Sequence, residues 1–337
     1  MAGCGSYDRG IVTAVTARVP AKVNLQLSVG PPGADGYHDL VTVFHALALF
    51  DEVTVTSADT DSVVVTGEGA RSVPLGPDNL AARAVAALVD AVGPGVRDAP
   101  GLAIEIRKRI PVAAGLAGGS ADAAGALVAC NELWGAGLSH QELAEVASRV
   151  GSDVGFALLG GTAVGLGRGD RVTPALAAGM YHWVLAFADG QLSTPAVYAA
   201  CDRLRAARAD RAGRPGSSGK ADPPGPPQLD TALMAALRSG NPAELGPLLS
   251  NDLQPAAVSL LPRLRQALAA GLEHGALGAI VSGSGPTCAF LARDGAHARD
   301  LAVALAGAGV CRTVASVMGP APGATVISVP TGGSART

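Results

Sequence analysis

The chain has 337 residues, 48% of them hydrophobic, with 25 Lys plus Arg against 28 Asp plus Glu and a formal net charge of -3. At about 100–200 residues per domain that length divides into two domains, and the slight acid excess excludes the basic surface on which nucleic-acid binders rely. No apolar run of about 18 residues could span a bilayer and MAGCGSYDRG has no signal-peptide core, so the expected address is the cytoplasm, with no membrane partner, and the expected partner is a small molecule.

Strands come first. VTAVTARV at 12–19, VNLQLSV at 23–29, then LVTVFHALALFDEVTVTS and SVVVTGE up to 68 alternate apolar and polar residues, with a turn-rich PPGADGYHD at 31–39. DNLAARAVAALVDAV at 78–92 has helical spacing and a start signal near Asp78. GLAIEIRKRI at 101–110 reads as a strand, PVAAGLAGGS as a glycine loop, and the Ala-rich run from Ser120 as a helix. SHQELAEVASRV at 139–150 opens with Ser139 three residues before Glu142, the pattern of a capping box.

Further on, HWVLAFAD at 182–189 reads as a strand and Thr194–Leu204 as a helix, while 206–227, rich in Arg, Gly, Ser and Pro, reads as a flexible insertion. Helices at 229–239, 242–250 and 262–274 and strands at 277–282, 287–292, 310–318 and 324–329 complete a C-terminal α+β region. The expected domains are 1–175 and 176–330.

The five cysteines, Cys4, Cys130, Cys201, Cys288 and Cys311, are scattered and form no CxxC, so neither a disulfide framework nor a zinc site is indicated. The 45 glycines exceed the roughly 7% background by almost a factor of two. Lysine occurs only at Lys22, Lys108 and Lys220, so each invites a reason.

Gly115, Gly118 and Gly119 lie between a strand and a helix. Unpaired N–H groups and the positive end of the helix dipole make such a loop a phosphate site. It is not a P-loop, because no lysine follows the glycines, and it is not a dinucleotide fingerprint, because GxxGGS replaces GxGxxG. Tight packing, with Ser120 as an N-cap and Asp122 complementing the dipole, is the competing explanation.

Three motifs in order decide between them: PAKVNLQL at 20–27, PVAAGLAGGSADAA at 111–124 and SGSGPTCAF at 282–290. Together they resemble the GHMP kinases, the superfamily of galactokinase, homoserine kinase and mevalonate kinase. DGYHDLVTVFHAL at 35–47 and GSDVGFALLGGTA at 151–163 are similar to the branch that phosphorylates a cytidylated methylerythritol in the non-mevalonate route to isoprenoids.

The resemblance implies an α/β, two-domain GHMP kinase fold with its active site between the domains, and an ATP-dependent phosphotransferase with an alcohol acceptor. It implies Lys22 and Asp153 as catalytic residues, and nucleotide contacts from Pro111, Val112, Ala113, Ala114, Gly115, Leu116, Ala117, Gly118, Gly119, Ser120 and Ala121. Asn24, Tyr37, His38 and Tyr198 would bind the acceptor, Tyr37 and Tyr198 by stacking on the base. Mg²⁺ is implied as well, with Ser120 as a candidate ligand and no acidic ligand assigned.

From the residues alone, Asp153 also suits a helix N-cap, Lys22 a solvated strand, Tyr37-His38 a capped turn, Tyr198 a helix core and SGSGPT a structural turn. The alternatives at the level of function are a mevalonate- or homoserine-type kinase, and a non-catalytic nucleotide-binding protein on the same fold. Gly155, Ala114 and the 206–227 stretch depart from the branch's usual pattern.

Overall fold

The computed structural model describes residues 14–212 and 225–328. The chain runs β1 (Ala14–Pro32), β2 (His38–Ala58), β3 (Ser62–Gly67), α1 (Leu80–Val92), β4 (Gly101–Lys108), α2 (Gly118–Leu133), α3 (His140–Ser148), α4 (Val154–Leu159), β5 (Thr162–Gly167), β6 (Arg171–Pro174), β7 (Tyr181–Phe187) and α5 (Thr194–Ala212). It continues with α6 (Thr231–Ser239), α7 (Pro242–Leu245), β8 (Ser250–Asn251), α8 (Gln254–Leu260), α9 (Arg263–Glu273), β9 (Gly278–Val281), β10 (Cys288–Ala292), α10 (Gly295–Gly307), β11 (Thr313–Gly319) and β12 (Thr325–Ser328).

Two sheets form. The larger has the order β12-β1-β2-β4-β3, with β5 and β6 continuing from β2 and β8 parallel to β1; the smaller is β11-β7-β10-β9. β2 serves two neighbours because it is long: its first part pairs with β5 and its last part with β4. The final strand, β12, returns to pair with β1, so the end of the described chain completes the sheet that the beginning founded.

β7 shows how the sheets share one interior. Successive strand side chains face opposite ways, and Tyr181, Trp183, Leu185 and Phe187 join the core of the first sheet while Val184 and Ala186 pack with the helices of the second. α2 is buried on nearly every side. Gly125 is required there, since a Cβ would lie 2.7 Å from Val53 Cγ2 and 3.0 Å from Val19 Cγ2.

Several sequence expectations need correction. α1 begins at Leu80, capped by Asn79 rather than Asp78, because the Asn79 side chain accepts from Ala81 N. α5 runs eight residues past Leu204, so 206–212 is helical and not part of a loop, while 213–224 lies outside the described residues. The expected helix at 242–250 stops at Leu245. The helices α8 and α10 and the hairpin β5–β6 were not anticipated, whereas α4 is the helix that an N-cap at Asp153 requires. In α10 the buried Ala298, Leu301 and Leu305 have helical spacing, a signal that was present.

Candidate active site

Lys22 and Asn24 lie between two register shifts of β1 against β2, at Pro20/Ala21 and Asn24/Gln26. Bulges re-aim side chains next to functional sites, and residues two apart share a strand face; Lys22 and Asn24 line the cleft while Val23 enters the core. Lys22 Nζ donates to Asn24 Oδ1 at 2.7 Å, Asn24 Nδ2 donates to Thr42 Oγ1 at 2.8 Å, and Thr42 donates to the Gln26 carbonyl at 2.8 Å. That chain of donors fixes the Asn24 amide with its oxygen toward the ammonium.

Asp153 stands 3.8 Å from Lys22 Nζ. It occupies the N-cap of α4, yet its side chain makes no capping hydrogen bond. The carboxylate is therefore left to the cleft. Burial pulls the Lys22 pKa below the ordinary lysine value, and the Asp153 charge restores part of it.

The glycine loop is coiled by left-handed backbone at Ala113 (φ 53), Gly115 (φ 75) and Ala117 (φ 59). For alanine that conformation costs about 1–2 kcal/mol, and such strain concentrates at binding sites. α2 starts at Gly118 behind Ala117, whose side chain caps nothing. The N–H groups of Gly118, Gly119 and Ser120 thus have no acceptor within the helix. Ser120 is the third helical residue, not an N-cap, because the loop turns into helix two residues earlier than expected.

Ala113, Ala114, Gly115, Ala117, Gly118 and Gly119 line the large cleft. Pro111 and Val112 line a separate cavity of about 320 Å³ together with Ala113 and Ala114. Leu116 and Ala121 are core residues, and Ser120 is half-buried and lines neither space. Surface facing the cleft is therefore narrower than the expected 111–121 run.

The SGSGPT turn closes on this loop. Ser282 Oγ donates to the Gly115 carbonyl at 2.9 Å and Thr287 N to the Ala114 carbonyl at 3.3 Å. The buried Asn251 anchors the turn, its Nδ2 donating to the carbonyls of Val281 at 2.8 Å and Gly283 at 2.7 Å. Gly283, Ser284 and Gly285 form part of the cleft wall.

At the far end, Tyr37 is 57% exposed and the Arg168 guanidinium stacks 3.7 Å from its ring centroid while pairing with Asp35 at 2.9 Å. His38 Nε2 lies 3.0 Å from Asp202 Oδ1, and its ring is 5.0 Å from that of Tyr198. Tyr198 packs on the second core yet also lines the cleft; burial, then the Asp153 charge, pushes its phenol pKa up. Lys22, Asn24, Tyr37, His38, Asp153 and Tyr198 all border one cleft of about 1190 Å³. Ligand pockets commonly measure roughly 300–1,000 Å³, so this cleft is larger than a typical single-ligand site.

Residues 79–161 match the GHMP kinases N terminal domain and residues 233–311 the GHMP kinases C terminal domain. The chain is 53% identical over 318 residues to the 4-diphosphocytidyl-2-C-methyl-D-erythritol kinase of Mycolicibacterium gilvum, covering 94% of each protein. The chain belongs to the 4-diphosphocytidyl-2-C-methyl-D-erythritol kinase family of GHMP kinases.

Another member, from Mycobacterium tuberculosis, is 52% identical over 317 residues, 94% of each protein. A crystal structure of 4-(cytidine 5'-diphospho)-2C-methyl-D-erythritol kinase superposes with a TM-score of 0.67 at 34% identity, covering 90% of this chain and 98% of that one. Mevalonate kinase of L. major superposes with a TM-score of 0.68, covering 92% of this chain and 97% of that one, but at 15% identity that likeness shows the shared fold alone. The fold is thus the two-part GHMP kinase architecture expected from the motifs, and the chain is a kinase.

Sequence reasoning missed five charged residues that this family member places in the cleft wall: Arg83, Arg149, Arg168, Asp170 and Asp202. Asp202 was reachable, since it lies one helical turn after Tyr198 and must share its face. Arg168 sits between Gly167 and Gly169, both with left-handed backbone, and nothing local says that its side chain crosses to Tyr37. Arg83 and Arg149 carry no sequence signal separating them from ordinary surface arginines.

Proposed function

We propose that the chain transfers the γ-phosphoryl group of ATP to the 2-hydroxyl of 4-diphosphocytidyl-2-C-methyl-D-erythritol, yielding its 2-phosphate, in the cytoplasmic non-mevalonate route to isoprenoids. The observation that carries the reading is the Lys22–Asp153 pair, 3.8 Å apart in a cleft that has uncapped α2 N–H groups on one wall and the Tyr37, His38 and Tyr198 rings on another. The activity for which the relatives are named supports the acceptor, and the match to the GHMP kinases supports ATP. We place the lobe boundary between β6 and β7.

The triphosphate binds along the loop from Gly115 to Ser120, where N–H donors and the α2 dipole meet negative charge. Tyr37 and Tyr198 stack on the cytosine, His38 reads its edge with its Nε2 held by Asp202, and Asn24 bonds the methylerythritol. Asp153 accepts the proton of the 2-hydroxyl as the new O–P bond forms and the bond from the γ-phosphorus to the β-bridging oxygen breaks, releasing ADP. Lys22 stabilises the developing alkoxide. Phosphoryl transfer depends mainly on such positioning and charge stabilisation.

Among the described residues no group of three or more His, Cys, Asp or Glu could hold a metal ion. The donor set fits Mg²⁺ that is held chiefly by phosphates and water, as that ion prefers, because Ser120, the expected protein ligand, lines neither space. When bound, the ion would neutralise charge on the transferred phosphoryl group. No described helix is long and apolar enough to cross a membrane.

The test is ADP release with ATP, Mg²⁺ and, separately, the cytidylated acceptor, mevalonate and homoserine. Turnover confined to the cytidylated compound is expected. Turnover of mevalonate or homoserine without it would overturn the assignment.

A further inference from the structure

Lys108 has no part in the chemistry just described, yet it is among the most deeply buried charges in the protein. Its side chain is 1% exposed, and Nζ contacts Asp51 Oδ2 at 2.5 Å, Asp122 Oδ2 at 2.7 Å and the Gly118 carbonyl at 3.1 Å. Asp51 uses its other oxygen to accept from Arg109 N at 2.6 Å and Ile110 N at 2.8 Å. These contacts bracket the phosphate loop: Arg109 and Ile110 precede it, Gly118 opens α2, and Asp122 lies one turn into that helix.

We propose that Lys108, bridged by Asp51 and Asp122, is the positioning residue of the phosphate loop, setting where the α2 N–H groups stand relative to the end of β4. The inference rests on the nucleotide reading given under Proposed function. A desolvated charge cluster is a poor way to gain stability, since an apolar replacement often does as well. What it supplies is direction: an ammonium with three bonds ties two segments at a fixed separation. A loop bent through left-handed backbone at Ala113, Gly115 and Ala117 has no regular hydrogen-bond ladder to do so. The surrounding packing agrees, because a Cβ on Gly118 would lie 3.1 Å from Lys108 Nζ.

Asp122→Ala removes the side-chain tie to α2, leaving there only the longer contact of Nζ to the Gly118 carbonyl at 3.1 Å, and it leaves Lys108 paired one-to-one with Asp51, so no buried charge is left unpaired. Binding of a non-hydrolysable ATP analogue, measured by calorimetry, should weaken at least tenfold. The KM of the acceptor should stay within twofold of wild type, and Asp122→Asn, which restores an oxygen to Lys108, should return analogue binding to within threefold. Should the alanine variant not fold, Asp122→Leu fills the space and still lacks an acceptor.

Unchanged analogue binding in the variant without an acceptor, or an equal loss of acceptor binding, would overturn the positioning role. So would a loss that Asp122→Asn does not restore. Failure of the wild-type chain to bind the analogue would instead overturn the nucleotide reading and this inference with it.

Discussion

The backbone of Gly283 lies against Lys22: a Cβ added there would sit 3.1 Å from Nζ and 3.3 Å from Asn24 Oδ1, and the residue has φ 55. The C-terminal glycine turn therefore forms one wall of the pocket that holds the ammonium. Gly283→Ala should displace Lys22 and strain the turn by about 1–2 kcal/mol. We expect kcat to fall by about tenfold or more, as a misplacement near 1 Å can cost about 10²-fold. Wild-type kcat in this variant would contradict the contact.

Asp153→Asn keeps the shape of the site and removes the proton acceptor. The expected loss in kcat is about 10²–10⁴-fold, with ATP-analogue binding retained. Because the Asp153 charge raises the Lys22 pKa against the downward pull of burial, the alkaline limb of the remaining activity should move to lower pH. A rate like that of wild type would refute the general-base role.

Tyr37 and Tyr198 are assigned to opposite sides of the acceptor base. A base–aromatic stack is worth about 1–3 kcal/mol, so either tyrosine changed to alanine should raise the acceptor KM by about 5- to 150-fold and leave the KM of ATP nearly constant. Arg168→Ala should share part of the Tyr37 effect, because its guanidinium covers that ring at 3.7 Å. Kinetics with each substrate varied in turn separates these outcomes from a general loss of folding.

His45 is fully buried against Tyr181 and Trp183, at ring separations of 5.6 and 6.0 Å, with Nδ1 2.8 Å from Thr162 Oγ1. Burial pushes its pKa down from 6.5 to about 4. As pH falls through 6.5 the unfolded chain takes up a proton that the folded chain refuses, so this group's contribution is lost between pH 6.5 and 4. The size is on the order of 3 kcal/mol. The stability difference between wild type and His45→Gln, followed by denaturant unfolding, should shift by that amount across the window, with wild type losing ground on acidification. Parallel curves would sink the prediction.

The motif residues were legible because each has a local cause. Alternation placed β1 and β2, the Ser139–Glu142 pair forms a capping box in the structure, and the glycines of the phosphate loop mark a turn that few other residues could make. The roles open to Asp153 were not decidable in one dimension. N-cap and free carboxylate look the same in GSD, and only the missing cap bond and the ammonium at 3.8 Å separate them.

Two further features depended wholly on the folded chain. Lys108 and Asp51 are 57 residues apart in sequence, and no spacing rule joins a strand end to the middle of another strand. The cleft arginines are ordinary by composition and special only by the surface they face.

The sequence by itself determined the kinase family and singled out Lys22 and Asp153 as candidates, since short motifs encode local backbone shapes. The tertiary structure decided which loop residues reach the cleft, which polar residues join them, and how the phosphate loop is tied down. Those depend on long-range packing and burial, which bring together groups that the chain order keeps apart.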